Sequence, residues 1–196
     1  MAFAWVIKTG SNAGKGNYFT TMNITDWLKY EPVTGPTPEG QWRCASVTDY
    51  WGEETYTDWT MTIEKSGAGF VINNFDQGFD EFLSEYQLQA DSPIAKWSNA
   101  NKTLTIAAET STGINAGGPL VWRGMVNKTF CDIVLVFDFD KNTCTYQTAN
   151  WGVYEDDEEQ PGWYSLYNGP SMVFTKVQGK ASSIKPMNYM HRGGVI

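Results

Sequence analysis

Residues 130–148 read FCDIVLVFDFDKNTCTYQT, and this stretch decides the fold class. Successive side chains of a β-strand point to opposite faces, so alternate positions share one face. One such face carries Cys131, Ile133, Leu135, Phe137 and Phe139, and after a turn at Lys141-Asn142 the same parity continues through Cys144, Tyr146 and Thr148. Asparagine tolerates the positive φ of a tight turn. The stretch therefore predicts an antiparallel hairpin with one buried face, and it places Cys131 and Cys144 in the core.

Alternating runs of the same kind extend outward from this hairpin, and turn residues separate them at short spacing. This pattern of alternating runs and turns is typical of antiparallel barrels and sandwiches. From residue 41 onward we predict ten strands: Gln41–Val47, Thr57–Glu64, Gly69–Asn74, Glu85–Ala90, Ile94–Ser98, Thr103–Ala108, Leu120–Val126, Phe130–Asp140, Thr143–Thr148 and Met172–Val177. The fold class is all-β, and the pattern alone leaves barrel and sandwich open.

The domain organisation follows from one interruption of this pattern. Residues 32–40 contain three prolines and two glycines, which cannot sustain a regular ladder. We predict an N-terminal β-hairpin appendage at 1–31, a linker at 32–40, the β-barrel domain at 41–178 and a C-terminal tail at 179–196.

The composition excludes several classes of partner. The formal charge of −8 and the isoelectric point near 4.6 produce a field that repels phosphate backbones and anionic lipids, so no nucleic-acid partner is expected. No run of 18 apolar residues is present, which predicts no membrane insertion. No signal peptide is visible at the start of the sequence, and a leader already removed would leave the same picture.

Few residues are suited to catalysis or metal binding. His191 is the single histidine, and the three cysteines form no C-x-x-C pair, so we expect no metal, no cofactor and no catalytic residues. The acidic run Glu155–Glu159 is interpreted as a solvated loop. Asp76, Asp80 and Glu81 are possible calcium ligands, but an exposed turn or one helical turn is the favoured interpretation. The chain is therefore predicted not to be an enzyme.

Aromatic residues are more numerous than a core of this size requires: the chain has nine Trp, ten Tyr and ten Phe. Several stand in predicted turns, and exposed rings bind sugar faces or protein partners. The predicted ligand-binding residues are Trp51, Trp151, Tyr154, Trp163 and Tyr164, most of them in a long loop at 149–170. The alternative interpretation is that each ring only covers an end of the barrel.

The segment Gly40-Gln41-Trp42-Arg43 opens the first predicted strand after a proline-rich stretch. It resembles the start of the lipocalin-like (calycin) barrels, of the kind found in Bacteroidetes surface lipoproteins. The resemblance implies an antiparallel up-and-down barrel of about 8–10 strands, in which Trp42 closes the barrel bottom and Gly40 permits a tight bend. Those barrels usually place an arginine over this tryptophan, whereas the last predicted strand here offers only Lys176. An extracellular or cell-surface location is favoured.

Three functions remain open at this stage. The first is a non-catalytic module that binds a glycan or a protein partner through loop aromatics. The second is a structural component of a cell-surface complex or virion, in which residues 1–24 complete a neighbour's sheet, because a two-stranded piece is marginal alone. The third, implied by the resemblance, is a carrier of a small hydrophobic ligand.

Overall fold

The computed structural model describes residues 35–177. The predicted N-terminal hairpin at 1–31, the first part of the linker and the tail at 179–196 lie outside the described residues, so the assembly role predicted for residues 1–24 stays a prediction.

Eight antiparallel strands form a closed barrel. They are β1 (Gly40–Thr48), β2 (Thr55–Ser66), β3 (Gly69–Asn73), β4 (Ile94–Ser98), β5 (Thr103–Ile106), β9 (Ile133–Asp138), β10 (Thr143–Tyr146) and β13 (Val173–Lys176). Their order around the barrel is their order along the chain, and β13 closes the ring on β1. The all-β, up-and-down barrel is thereby confirmed, and the sandwich alternative is not adopted.

A second antiparallel sheet interrupts this chain order. Its strands are β6 (Thr110–Asn115), β7 (Pro119–Val126), β8 (Thr129–Cys131), β11 (Asn150–Glu155) and β12 (Gly162–Asn168). The sheet runs β12-β11-β7-β6, and β8 pairs with β7. The sequence pattern predicted β7 and part of β8 as members of one barrel, and it gave no sign of β6, β11 and β12. The predicted long loop at 149–170 is mostly the β11–β12 hairpin.

The central hairpin is confirmed, and its turn is longer than predicted, because it occupies residues 139–142 rather than Lys141-Asn142 alone. Cys144 lies opposite Phe137 and Tyr146 lies opposite Leu135. The strand predicted at Phe130–Asp140 is divided at Asp132, whose side chain accepts a hydrogen bond from Ala108 N at 2.9 Å and whose carbonyl accepts one from Thr148 Oγ1 at 3.0 Å. Cys131 therefore belongs to the second sheet and is half-buried, which corrects its predicted core position.

The strand predicted at Glu85–Ala90 is wrong. A helix, α1 (Gln77–Glu85), ends here, and the amides of Tyr86 and Leu88 both donate to the carbonyl of Leu83 at 3.0 Å. Those amides are therefore not available to a sheet. A short 3-10 helix at Gly169–Ser171 precedes β13. None of the helices within residues 35–177 is long and apolar enough to cross a bilayer.

Trp42 lies inside the barrel and is fully buried. Its Nε1 donates to Pro38 O at 2.8 Å, and the Lys176 ammonium lies 5.3 Å from its ring centroid. Gly40 has a φ of +123°, a conformation that L side chains rarely adopt. The lysine thus covers the ring from the last strand, at the place where the resemblance predicted an arginine.

Aromatic rings fill the barrel and continue into the second sheet. Trp151 of β11 is fully buried, and its ring centroid lies 4.6 Å from that of Tyr146 and 6.2 Å from that of Trp59, both on barrel strands. Any side chain at the adjacent Gly152 would overlap the carbonyl of Ser165. The two sheets therefore share one continuous core, with β11 pressed tightly against β12.

Candidate binding cleft

A concave surface of about 470 Å³ lies between the β1–β2 loop, helix α1 and strand β12. We call it the acidic–aromatic cleft. Its walls are rings and carboxylates with a glycine and backbone of β12 between them: Asp49, Trp51, Glu53, Glu54, Tyr56, Gly78, Glu81, Phe82, Glu85, Trp163, Tyr164, Ser165, Leu166 and Tyr167.

The β1–β2 loop is held by its own hydrogen bonds and by β12. Asp49 Oδ1 accepts from Glu53 N at 2.8 Å, which closes a local turn. Tyr50 N donates to Leu166 O of β12 at 2.8 Å. Trp51 follows directly and is 51% exposed. Its ring therefore stands in solvent at the cleft on a loop whose backbone is fixed.

A β-bulge in β12 sets the opposite wall. Tyr154 pairs with Trp163 and Val153 pairs with Ser165, so Tyr164 is the extra residue between the two pairs. Regular alternation would send Trp163 and Tyr164 to opposite faces, whereas a bulge re-aims a side chain. Both residues line the cleft, and the ring centroid of Trp163 also lies 5.1 Å from that of Tyr154.

Helix α1 supplies the third wall. Phe82 is 41% exposed, and its ring centroid lies 5.8 Å from that of Tyr164 across the cleft. Glu81 and Glu85 stand one turn apart on the same side of the helix, and both line the cleft. Apolar ring faces and carboxylates therefore alternate along this wall.

The electrostatics of the cleft are negative. Five of its lining residues are carboxylates and none is lysine, arginine or histidine. Within residues 35–177 none of these five carboxylates forms an ion pair. Burial, followed by the hydrogen bond to Glu54 at 2.8 Å and its charge, raises the pKa of the Tyr56 hydroxyl, which stays protonated. Ligands with negative charge are therefore disfavoured here.

A buried carboxylate joins helix α1 to β12 beneath the cleft. Asp76 is fully buried and caps the helix by accepting from Phe79 N at 3.0 Å. The same side chain accepts from Tyr167 OH at 2.7 Å and from Ser165 Oγ. Burial raises the pKa of Asp76, and these donors oppose the rise. Of the two interpretations offered for this segment, the exposed turn is wrong, and the single helical turn is shorter than the helix of nine residues that Asp76 caps.

A second aromatic group surrounds a buried arginine on β7. Arg123 is 4% exposed, and its guanidinium carbon lies 4.2 Å from the Phe130 ring centroid and 4.6 Å from that of Tyr154. Arg123 also pairs with Glu109, and Asp156 Oδ2 lies 3.9 Å away. This cluster binds its own cation, so its rings are partly covered already.

The predicted site residues therefore fall into three places. Trp51 meets Trp163 and Tyr164 in the cleft, although it is distant from them in sequence, and the Trp163 ring also packs against Tyr154 of the Arg123 cluster. Tyr154 belongs to the Arg123 cluster and is half-buried. Trp151 is fully buried in the core, because β11 turns its side chain towards Tyr146 and Phe75, so its placement in an exposed loop is corrected.

Sequence reasoning missed the helix wall with Glu81, Phe82 and Glu85. A signal was present: Asp76 is a favourable N-cap residue, and Phe79 and Leu83 are spaced i, i+4, as on a buried helix face. Only one turn of helix was predicted there.

The acidic run is more ordered than a solvated loop. Glu155 ends β11, and its Oε1 accepts from Gly117 N at 2.6 Å and from Gly118 N at 3.1 Å. Asp157 Oδ1 accepts from Glu159 N and Gln160 N, both at 2.7 Å. In the described part of the chain, no group of three or more histidine, cysteine, aspartate or glutamate side chains is arranged to hold a metal ion.

The chain was compared with protein-family models, with curated proteins and with solved structures, and none of them matches it.

Proposed function

We propose that this barrel domain is a non-catalytic recognition module that binds a glycan through the acidic–aromatic cleft. The observation that carries the proposal is the convergence of Trp51, Phe82, Trp163 and Tyr164 from three separate segments on one concave surface. Sugar rings have apolar faces and polar edges. Aromatic side chains, which are also amphipathic, cover such faces while leaving the edges free for hydrogen bonds.

The carboxylates of the cleft provide the polar part of this recognition. A carboxylate accepts hydrogen bonds and donates none, so it pairs with the hydroxyl donors on the edge of a sugar. The net charge of −8 adds a repulsion against sulfated and uronic-acid glycans. We therefore propose a glycan without anionic groups.

The supports of the cleft favour binding without rearrangement. The β1–β2 loop is bonded to β12 through Tyr50 N, and helix α1 is bonded to β12 through Asp76. A preformed site loses less conformational entropy when a ligand binds. This arrangement suits a binding module that presents a fixed surface.

The position of the perturbed carboxyl groups supports a non-catalytic role. Asp76 and Asp80 have raised pKa values, as a general acid needs. The oxygens of Asp76, however, are occupied by Phe79 N, Ser165 and Tyr167, and Asp80 does not line the cleft. Neither carboxyl group is placed to protonate a sugar bound against Trp51.

The family assignment belongs to the same proposal. A lipocalin-like (calycin) domain of the kind found in Bacteroidetes surface lipoproteins is supported by the closed eight-stranded barrel and by the packing of Lys176 over Trp42. The carrier function of some such barrels receives less support here, because rings including Trp42, Trp59 and Trp151 fill the interior.

A protein partner is the second candidate for the same cleft. The apolar surface continues beyond Phe82 to Tyr86, which is 62% exposed, and to Leu88, which is 51% exposed. The ring centroids of Phe82 and Tyr86 are 5.2 Å apart. Such an exposed apolar strip is typical of a contact with another chain.

A glycan array followed by tryptophan-fluorescence titration tests the proposal. Trp51→Ala should weaken binding about tenfold, since one stacked ring is worth about 1.4 kcal/mol. Ile94→Ala is the control, because Ile94 is an exposed apolar residue, at 61%, outside the cleft lining. Equal losses in both variants, or no binding of any neutral glycan, would contradict the proposal.

A further inference from the structure

A smaller concave site of about 220 Å³ lies beside helix α1. Its lining includes three side-chain amides, two carboxylates and one indole: Asn73, Asn74, Gln89, Asp80, Asp91 and Trp122. We call it the amide pocket. At about 30 Å³ per water, its volume equals about seven waters, roughly that of one sugar ring.

Trp122 and Phe75 form the apolar part of the lining. Trp122 is 1% exposed, and its Nε1 has almost no accessible surface and no hydrogen-bond partner within residues 35–177. A ligand in the amide pocket therefore meets the polar groups of the other lining residues and not the indole N–H.

The remaining lining groups indicate the ligand class. Asn73 already bonds Glu64 and Ser92, and Asn74 Nδ2 donates to Thr60 O at 2.8 Å, so Gln89 offers the amide that is open to a ligand. Amides both donate and accept hydrogen bonds, and the carboxylates of Asp80 and Asp91 accept them. A ligand that satisfies both kinds of group must carry several groups that donate and accept at once. Hydroxyl groups do this, and no lysine or arginine lines the pocket to attract an anion. The chemistry therefore matches a neutral, hydroxyl-rich ligand.

The amide pocket and the cleft are connected along the surface of helix α1. Asn74 and Asp80 line both the amide pocket and a shallow polar surface that also includes Gln77 and Ser84. Glu81 lines both that surface and the cleft. One continuous polar track therefore passes around the helix from one site to the other.

We propose that the amide pocket is a second sugar subsite, so that the domain recognises an oligosaccharide laid across helix α1 rather than a single terminal sugar. The inference rests on the proposed function, because the cleft holds the first sugar unit. The rings of the cleft cover the apolar face of that unit, and the amide pocket holds the hydroxyl groups of a later unit.

A chain-length series tests the second subsite. The ligands are neutral linear oligomers of glucose, mannose, galactose and N-acetylglucosamine, each from monosaccharide to hexasaccharide, titrated by calorimetry. Affinity should rise with length and then level off. Gln89→Ala should weaken the long oligomers about fivefold, the loss of about one hydrogen bond, and leave the short ones unchanged. Trp51→Ala should weaken all of them.

Gln147→Ala is the control, because Gln147 is exposed and lines neither site. Gln89 is also exposed, so the melting temperature of Gln89→Ala should equal that of the parent. Affinity that does not depend on length, or a Gln89→Ala effect equal for short and long oligomers, would overturn the subsite and leave the cleft proposal intact. Failure of every series to bind would contradict the proposed function itself.

Discussion

The barrel and the second sheet bury different kinds of side chain. The described part of the chain contains five buried polar or charged residues: Asp76, Thr112, Arg123, Thr148 and Ser165. None lies on a barrel strand, and Thr112, Arg123 and Ser165 lie on the second sheet. The strands of the barrel bury apolar side chains, whereas the second sheet buries apolar side chains together with polar groups that form hydrogen bonds or, at Arg123, ion pairs.

This difference indicates that the barrel mainly provides stability and that the polar region mainly positions the binding residues. Apolar burial is non-directional and tolerates small shifts, so it makes a stable scaffold. Hydrogen bonds such as those of Asp76 fix distances and angles, so they hold rings in a defined arrangement. The cleft lies where the polar region meets the end of the barrel. We therefore expect changes in the barrel to affect stability, and changes at Asp76 to affect both stability and binding.

Trp42→Ala should have the largest effect on stability. Removing a fully buried tryptophan leaves a large cavity, so the free energy of unfolding should fall by about 3–5 kcal/mol. Glycan affinity of the folded fraction should not change, because Trp42 does not line the cleft. Urea unfolding and calorimetry measure the two effects. A variant that melts within a degree or two of the parent would contradict a buried, barrel-closing ring.

Asp76→Ala should lower the free energy of unfolding by about 2–4 kcal/mol, because Phe79 N, Ser165 and Tyr167 lose their buried acceptor. It should also weaken glycan binding, since helix α1 loses its bond to β12. Lys141→Ala is the control: Lys141 pairs with Asp138 at the surface, and its loss should cost less than about 1 kcal/mol. Full glycan affinity in a folded Asp76→Ala protein would contradict the claim that Asp76 positions the cleft for binding.

The barrel strands were easier to predict from the sequence than the strands of the second sheet. The hairpin of β9 and β10 and its buried face were predicted correctly, because Ile133, Leu135 and Phe137 alternate with less buried residues, but its turn was predicted two residues too short. Strand β12 was missed, because Ser165, Leu166 and Tyr167 are all buried in succession and a bulge breaks the period. A pattern of period two detects strands with one apolar face, and this strand has none.

The candidate site was predicted only in part for a related reason. Trp51, Trp163 and Tyr164 were selected as exposed rings, and the structure places them together. Trp151 was selected on the same ground and lies in the core. Whether an aromatic residue faces solvent depends on long-range pairing, such as that of β11 with β7 and β12, which local sequence does not encode.

Asp80→Asn should change the pH dependence of stability. Burial, followed by the charge of Asp76, raises the pKa of Asp80 from 3.8 to about 6. The folded protein therefore favours the protonated form, and this contribution is present below about pH 4 and is lost as the pH rises through 6. The variant should be more stable than the parent at pH 7.5, by about 1 kcal/mol after allowance for solvent screening.

Melting curves between pH 4 and 7.5 measure this effect. Asp138→Asn is the control, because the backbone and side chain of Lys141 lower the pKa of Asp138, which predicts the opposite slope. An Asp80→Asn protein whose stability falls between pH 4 and 6 as steeply as that of the parent would contradict the assigned burial.

The acidic run should show the smallest effects. Glu155→Gln should cost about 1 kcal/mol, because its carboxylate holds Gly117 N and Gly118 N through charge-assisted hydrogen bonds. Glu158→Gln should change the stability by less than about 0.5 kcal/mol, since this exposed carboxylate has no bonding partner within residues 35–177. Thermal unfolding compares the two, and equal shifts would show that the run behaves as one solvated loop.

The most direct test of the cleft is an NMR titration of protein labelled at the indole nitrogens of its nine tryptophans. With a neutral hexasaccharide selected on the array, the indole signals of Trp51 and Trp163 should shift, that of Trp122 should shift with the long ligand only, and those of the interior residues Trp42 and Trp59 should stay in place. Shifts confined to Trp42 and Trp59 would place the ligand inside the barrel and contradict recognition through the acidic–aromatic cleft.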